Sequence, residues 1–285
     1  MSRHATFANK HVVITGAASG IGRAVAIGAS DRGARVHLTD CNLASLQETA
    51  TTIRGRGGAV GVVSALDIRE IDEVRAFAKA VHESTPHADI VMNVAGISAW
   101  GTVDRLDHHQ WRDMVDVNLM GPIHIIQSFV PAMITAGEGG HLVNVSSAAG
   151  LFGLPWHAAY SASKFGLRGA SEVLRFDLAR HDIGVSLVCP GGVDTPLTAT
   201  VQIAGVDTNG EAFSKLQARF RRHAVSPEDA AAAILDGVIA NRYLVFTSAD
   251  IRALYHLQRL LPPAYRLLMR LANSAMYRAM PDVAS

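Results

Sequence analysis

His11-Val12-Val13-Ile14-Thr15-Gly16-Ala17-Ala18-Ser19-Gly20-Ile21-Gly22 reads as a short β-branched strand that ends in a glycine-rich turn. A helical segment follows at once, from Arg23-Ala24-Val25-Ala26 to Arg32. Strand, glycine turn and helix N-terminus together make a phosphate cradle. The glycines let the backbone come close to a diphosphate, and the helix N-terminus favours its charge. The spacing is Gly-x-x-x-Gly-x-Gly, not the more widespread Gly-x-Gly-x-x-Gly. The glycines alone are therefore weak evidence, and their place in the first unit of a βαβ pattern carries the reading.

Outward from this stretch, strand and helix patterns alternate. Arg35-Val36-His37-Leu38-Thr39 is a second strand ending at Asp40. A carboxylate there would accept hydrogen bonds from both hydroxyls of an adenosine ribose and repel a 2′-phosphate, which favours NAD over NADP. No Lys or Arg follows at Cys41 or Asn42. The plainer alternative for Asp40 is a helix cap or turn residue. A helix over about Leu43–Arg54 leads to a third strand near Ala59-Val60-Gly61-Val62-Val63, and then to Asp67-Ile68. Asp67 would either meet an adenine amino group or cap the helix that starts near Glu70. The fourth strand, Asp89 to Gly96, is apolar at its centre, as a strand buried on both faces should be. Asn93 inside it needs hydrogen-bond partners and can bridge neighbouring backbone. Asp107 to Ala136 reads as one long helix interrupted at Gly121-Pro122, with Asn118 just before the break. His141 to Val145 is a fifth strand, Gly184 to Cys189 a sixth, and Tyr243 to Thr247 a seventh. Ser226-Pro227 marks a helix start, with serine as cap and proline first. Leu197 to about Arg222 carries few signals and is expected to be a mobile flap over the substrate. No repeat or interdomain linker interrupts the pattern, which predicts a parallel, doubly wound α/β sheet in one domain.

Composition narrows the function classes. The 285 residues are 49% hydrophobic and 18% charged, with a net charge of +1, so neither nucleic acid nor an acidic partner is signalled. No apolar run reaches 18 residues, and Met1-Ser2-Arg3-His4 lacks the apolar region of a signal peptide, so the cytoplasm is the expected compartment. The two cysteines, Cys41 and Cys189, suit a reducing setting. Thirteen histidines include no His-x-x-x-His, and no Cys-x-x-Cys occurs, so no metal site is expected.

Chemistry concentrates between Ser146 and Lys164. Tyr160 and Lys164 are four residues apart, so a helix sets their side chains on one face. A free tyrosine has a pKa of about 10. An ammonium about 4 Å from its oxygen would lower that by roughly 4 kcal/mol at an effective dielectric of ~20, bringing the phenol towards the range of a general acid/base. Ser147, at the end of the fifth strand, could donate to a substrate oxygen. The same spacing also occurs on surface helices without chemistry. After the sixth strand, Pro190-Gly191-Gly192-Val193-Asp194-Thr195-Pro196 is either a plain turn or a loop offering amides and the Thr195 hydroxyl to a cofactor.

Taken together, Thr15 to Gly22, Asn93-Val94-Ala95-Gly96, Asn118, Ser147, Tyr160-x-x-x-Lys164 and Pro190-Gly191 resemble the short-chain dehydrogenase/reductase family, in its order and spacing, over residues 8–248. The resemblance implies a single Rossmann-type domain with a seven-stranded parallel sheet in the order 3-2-1-4-5-6-7. It implies a catalytic tetrad of Asn118, Ser147, Tyr160 and Lys164. Tyr160 would exchange the alcohol proton, Lys164 would lower its pKa and hold the nicotinamide ribose, Ser147 would orient the substrate oxygen, and Asn118 would anchor a water. It also implies that NAD is held by Gly16, Ser19, Gly20, Ile21, Gly22, Asp40, Asp67, Ile68, Asn93, Ala95 and Gly96. Tyr160, Lys164, Pro190, Gly191, Val193 and Thr195 complete that set. Relatives form homodimers and homotetramers through the long helices and the last strand, so a homo-oligomer is expected. In the implied sheet order Cys41 and Cys189 stand four strand spacings apart, at ~4.8 Å each, too far for a disulfide.

Residues 249–285 extend beyond the usual family length. Leu254, Leu257, Leu260 and Leu261, a Pro262-Pro263 break, and an apolar helix with Arg266, Arg270 and Arg278 on one side describe a helical extension. It would lid the substrate mouth or pack on a neighbouring subunit; contact with a membrane surface is the less favoured alternative. The leading expectation is an NAD-dependent dehydrogenase or carbonyl reductase for a lipophilic, steroid-like secondary alcohol, its pocket lined by Trp100, Phe152, Leu154, Trp156 and His157. The alternatives are a reductase of 3-oxoacyl thioesters and a non-catalytic NAD-binding regulator or scaffold.

Overall fold

The computed structural model describes residues 6–199, 202–204, 218, 222 and 224–279. The sheet consists of β1 (His11–Thr15), β2 (Arg35–Asp40), β3 (Ala59–Ala65), β4 (Ile90–Asn93), β6 (Gly140–Val145), β7 (Ile183–Cys189) and β9 (Leu244–Phe246). A separate pair joins β5 (Ala99–Trp100) to β8 (Gln202–Ile203). The sheet order is β3-β2-β1-β4-β6-β7-β9 with all pairings parallel, which is the expected order once the two-residue strands are set aside.

Strand periodicity explains why both faces are covered. Successive side chains on a strand point to opposite faces. Val12 and Ile14 of β1 and Ile90 and Met92 of β4 enter a core with α1 (Gly20–Asp31) and the later helix Pro227–Ile239. Val13 and Val91, one residue out of step, enter the opposite core with α3 (Ile71–His82) and α5 (Gly121–Ala136). Val12, Val13 and Ile14 are all fully buried, and each contributes about 1.5–3 kcal/mol by leaving water.

The remaining helices are α2 (Leu43–Gly55), α4 (His108–Val115), α6 (Ala158–Asp177), α7 (Pro196–Ala199), α8 (Pro227–Ile239), α9 (Ala249–Leu260) and α10 (Pro262–Ala279). Ser226 caps α8 through the Asp229 N–H at 3.0 Å, with Pro227 as its first residue, as its sequence indicated. The run His108–Ala136 is long and apolar enough to cross a membrane by composition alone, yet Ile125, Phe129 and Met133 are wholly buried in the core against α3. It is not broken at Gly121-Pro122. A π-helical turn, Asp116–Met120, joins α4 to α5, and Pro122 sits in the first turn of α5. Most of the expected flap, Leu197 to Arg222, lies outside the described residues.

The C-terminal extension folds back on the domain. Ile251 and Tyr255 of α9 share a core with Phe152, Leu187 and Cys189. From α10, Tyr265 donates to the Gly153 carbonyl at 3.0 Å, and Tyr277 packs edge-on against Trp156 at 5.2 Å. Cys41 is exposed, Cys189 is buried, and both are free thiols.

Candidate active site

The carboxyl end of the sheet positions every group of the site. Thr15 closes β1 by accepting the Val94 and Ala95 N–H groups through its hydroxyl, at 3.0 and 3.1 Å. Gly16 follows with φ +70, and a Cβ there would stand 2.8 Å from Ala95 Cα, so only glycine fits. A Cβ on Gly22 would collide with the Gly16 carbonyl, which makes the turn tight. Ser19 occupies the N-cap position of α1 but makes no side-chain cap bond, leaving the first-turn N–H groups of α1 for a ligand.

β6 delivers Ser146 and Ser147. The Ser146 hydroxyl donates to the Lys164 carbonyl at 3.0 Å, tying this strand end to α6. Ser147 is extended and accepts the Ala149 N–H at 3.1 Å, so its hydroxyl starts a short 3-10 turn and also partners the phenol of Tyr160. One helical turn on from Tyr160, Lys164 is buried, and its Nζ donates to the Val145 carbonyl at 3.0 Å. Asn118, in the π turn, pairs with the Ile97 backbone twice at 2.9 Å, accepting the N–H and donating to the carbonyl. It also donates to Ser163 Oγ at 3.3 Å. The helical acceptor bond of its own carbonyl would come from residue 122, but Pro122 has no N–H. Asn118 Oδ1 and Lys164 Nζ converge on Gly96, standing 3.0 and 3.3 Å from where a Cβ would be.

Electrostatics depart from expectation. Burial pushes the Tyr160 phenol above its ordinary value of 10, and the Ser147 hydrogen bond offsets only part of this. Burial also pulls Lys164 down to about 8 from 10.5. The expected lowering of Tyr160 by Lys164 is therefore not what this arrangement produces. Desolvation disfavours the charged form of each group.

Tyr160, Lys164, Ser147, Gly96, Ile21, Pro190, Gly191, Val193 and Thr195 line one cavity of about 370 Å³. Its apolar wall holds Trp100, Phe152 and Leu154 as expected, and also Ile251 and Leu254 from α9. Sequence reasoning had flagged Leu254 but not as a wall residue, because nothing local connects it to Tyr160. Trp156 is not on the wall. It is buried against Tyr277 with φ +66. A larger depression of about 740 Å³, at the open edge of the sheet beside Phe246 and Tyr255, contains none of these polar groups and offers no comparable chemistry.

Several sequence candidates stand outside the cavity. Asn93 is a buried strut: it donates to Asn144 Oδ1 at 2.9 Å, and Asn144 donates to Ser171 Oγ at 2.9 Å, so it bridges side chains across β4, β6 and α6. Ala95 packs under Gly16. Asp40, at the end of β2, accepts the Ala18 N–H at 3.1 Å and the Asn42 N–H at 3.0 Å. It does not cap α2, since Asn42 does, through the Ser45 N–H. Asp67 is not the cap of α3 either, because Glu70 holds that position. Its carboxylate instead grips Arg69 at 2.7 and 2.8 Å, which holds its pKa below the usual carboxylate value. Ile68 is buried, and its carbonyl accepts from His124 Nδ1 at 2.9 Å. Among the described residues no cluster of metal-ligating side chains occurs.

The doubly wound sheet and the open helix end behind a glycine turn, with Ser147, Tyr160 and Lys164 gathered beside it, are the features of a dinucleotide-binding α/β protein. Residues 10–204 match the family model described as short chain dehydrogenase. The Mycobacterium tuberculosis (strain CDC 1551 / Oshkosh) protein called "Putative oxidoreductase SadH" is 35% identical over 268 residues, 93% of this chain and 95% of its own. Among solved structures, a short chain dehydrogenase/reductase from Burkholderia phymatum in complex with NAD is 29% identical with a TM-score of 0.82, covering 90% of this chain and 94% of that one. L-Sorbose reductase from Gluconobacter frateurii, complexed with NADPH and L-sorbose, is 25% identical with a TM-score of 0.74, covering 86% and 97%. The chain belongs to the short-chain dehydrogenase/reductase family and is an oxidoreductase built around a nicotinamide dinucleotide.

Proposed function

We propose that this protein interconverts a lipophilic secondary alcohol and its ketone with NAD as the cofactor. The observation that carries the proposal is the meeting of Tyr160, Ser147 and Lys164 with Ile21 of the glycine turn and the Pro190–Thr195 loop on one cavity. The uncapped N-terminus of α1 fits a diphosphate. When bound, the dinucleotide supplies the hydride acceptor or donor; the protein supplies the proton and the orientation.

In this reading Tyr160 is the general acid/base. The Ser147 hydroxyl, which stands beside the phenol, turns its one proton to the substrate oxygen and so aims it at Tyr160. Lys164 holds the nicotinamide ribose, and its charge favours the phenolate during proton transfer. Asn118, held by its two hydrogen bonds to the Ile97 backbone, sits in the π turn, and in this reading it anchors a water on the proton path. Asp40 supports NAD: its carboxylate closes β2 beside the glycine turn, where a 2′-phosphate would meet like charge. Trp100, Phe152, Leu154, Ile251 and Leu254 support a lipophilic substrate.

The catalytic unit is residues 8–248; the extension 249–285 is read as a lid, a reading supported by Ile251 and Leu254 on the cavity wall. Phe165, Val173 and Phe176 on α6 are exposed, together with Met120, which supports a homo-oligomer built through the long helices. The free thiols Cys41 and Cys189 suit the reducing cytoplasm.

The test is purified protein with NAD or NADP against a panel of hydrophobic secondary alcohols, followed by the absorbance of the reduced cofactor. NAD-linked turnover is the expected result. Cofactor binding with no turnover of any alcohol would favour a regulator or scaffold instead.

A further inference from the structure

His157 precedes Tyr160 by three residues, and its ring lines the same cavity. Its Nδ1 lies 2.6 Å from the Pro155 carbonyl oxygen. A carbonyl oxygen only accepts, so Nδ1 carries the proton. Burial pushes the imidazole down to about 4, which keeps it neutral at ordinary pH. Nε2 is therefore a bare acceptor, and it makes no hydrogen bond among the described residues.

The ring is held in place from several sides. Trp100 packs on it with centroids 4.3 Å apart. The indole N–H of Trp100 goes to Ser98 Oγ at 2.7 Å and does not compete for Nε2. The Gly101 N–H donates to the Trp156 carbonyl at 2.8 Å, and Trp156 itself sits at φ +66. That left-handed backbone is rare for a bulky residue and is kept in place by Tyr277 packing on the indole. A fixed Trp156 fixes the direction of the residue after it. The His157 and Tyr160 ring centres are 6.3 Å apart, and the neighbouring wall residues Phe152, Leu154, Ile251 and Leu254 are apolar.

We propose that Nε2 of His157 is a substrate-recognition acceptor that selects alcohols carrying a second hydrogen-bond donor, such as a hydroxyl, close to the reacting carbon. The inference rests on the alcohol–ketone reading above and names the substrate class within it. An alcohol without that donor leaves the lone pair desolvated and unpaired, while one with it gains a hydrogen bond inside a low-dielectric wall. Discrimination of about tenfold or more follows.

The experiment compares kcat/KM for matched pairs: cyclohexanol with cyclohexane-1,2-diol, and 1-phenylethanol with 1-phenylethane-1,2-diol. It uses the wild type, His157→Phe and His157→Gln, with NADH binding followed by fluorescence in each. The wild type should prefer the diols by about tenfold, chiefly through KM. His157→Phe should erase that preference while still turning over the mono-alcohols. His157→Gln, whose amide oxygen can replace the acceptor, should restore part of it. Equal use of diol and mono-alcohol by the wild type, or an unchanged diol preference in His157→Phe, overturns this inference and leaves the parent reading intact. No turnover of any member by the wild type, with NADH still bound, overturns the parent reading and this inference with it.

Discussion

The Nζ of Lys164 stands 5.8 Å from the centre of the Tyr160 ring and gives its hydrogen bond to the Val145 carbonyl at 3.0 Å. Both groups are shifted towards their neutral forms, Tyr160 upward and Lys164 down to about 8, chiefly by burial.

That balance bears first on turnover. Tyr160→Phe should lower kcat by roughly 10²–10⁴-fold, the range for losing a positioned acid/base, while NADH binding measured by fluorescence stays close to wild type. Alcohol oxidation needs the deprotonated phenol, and its pKa lies above the ordinary 10, so the oxidation rate should climb with pH through the neutral and mildly alkaline range. Ketone reduction needs the proton and should stay flat there. Full activity in Tyr160→Phe would remove the proposed proton role.

Lys164 links function to stability. Its folded pKa of about 8 lies below the 10.5 of the free group. The stability it contributes is fully present above 10.5 and is lost as pH falls through about 8. At pH 7 the buried ammonium therefore costs stability. Lys164→Met should unfold at higher urea concentration at pH 7, by up to about 3 kcal/mol, with the gain shrinking towards pH 10.5 and turnover lost. A less stable variant at pH 7 would mean that the bond to Val145 outweighs the desolvation.

Acid should destabilise the fold through its neutral histidines. His141 is buried with Nε2 2.8 Å from Ser186 Oγ, whose own proton goes to the Arg242 carbonyl. Burial pushes its pKa to about 4 from 6.5, and His37 is pushed to about 4 as well. Since the folded pKa is below the unfolded one, their contribution is complete above 6.5 and disappears as pH falls through 4. Urea unfolding between pH 7 and pH 4.5 should show a falling free energy, and His141→Asn should flatten that slope by an amount on the order of 2 kcal/mol. An identical slope in the variant would exclude His141 as a source of it.

Cofactor choice tests Asp40. Asp40→Ala should reduce the NAD-over-NADP preference in kcat/KM by about tenfold or more, a change of about 1.4 kcal/mol, because the carboxylate that repels a 2′-phosphate is gone. Unchanged selectivity would show that another residue reads the ribose.

Particular residues mark how far the sequence could be read. His11 to Thr15 read as a β-branched strand, and the structure makes it β1, with Val12 and Ile14 in one core and Val13 in the other. Ser226-Pro227 announced its helix because capping is local chemistry. The long helix reads as interrupted at Gly121-Pro122, whereas its irregularity is the π turn at Asp116–Met120, since a one-residue expansion of a helix leaves no trace in the hydrophobic pattern. Asp67 offered a cap or an adenine contact, and neither reading anticipated the grip of Arg69. Trp156 was expected on the pocket wall, but Tyr277 from the far end of the chain holds it elsewhere.

The chain's spacing alone determined the alternation of strands and helices, the glycine cradle, and the placing of Tyr160 and Lys164 on one helix face, because each depends on residues within a few positions of one another. Only the tertiary structure decided which charges the site tolerates, how Asn118 is pinned to Ile97, and that Ile251 and Leu254 close the cavity. Desolvation is a sum over every neighbour in space, and those neighbours come from β4, β6, α6 and α9, whose approach no local pattern records.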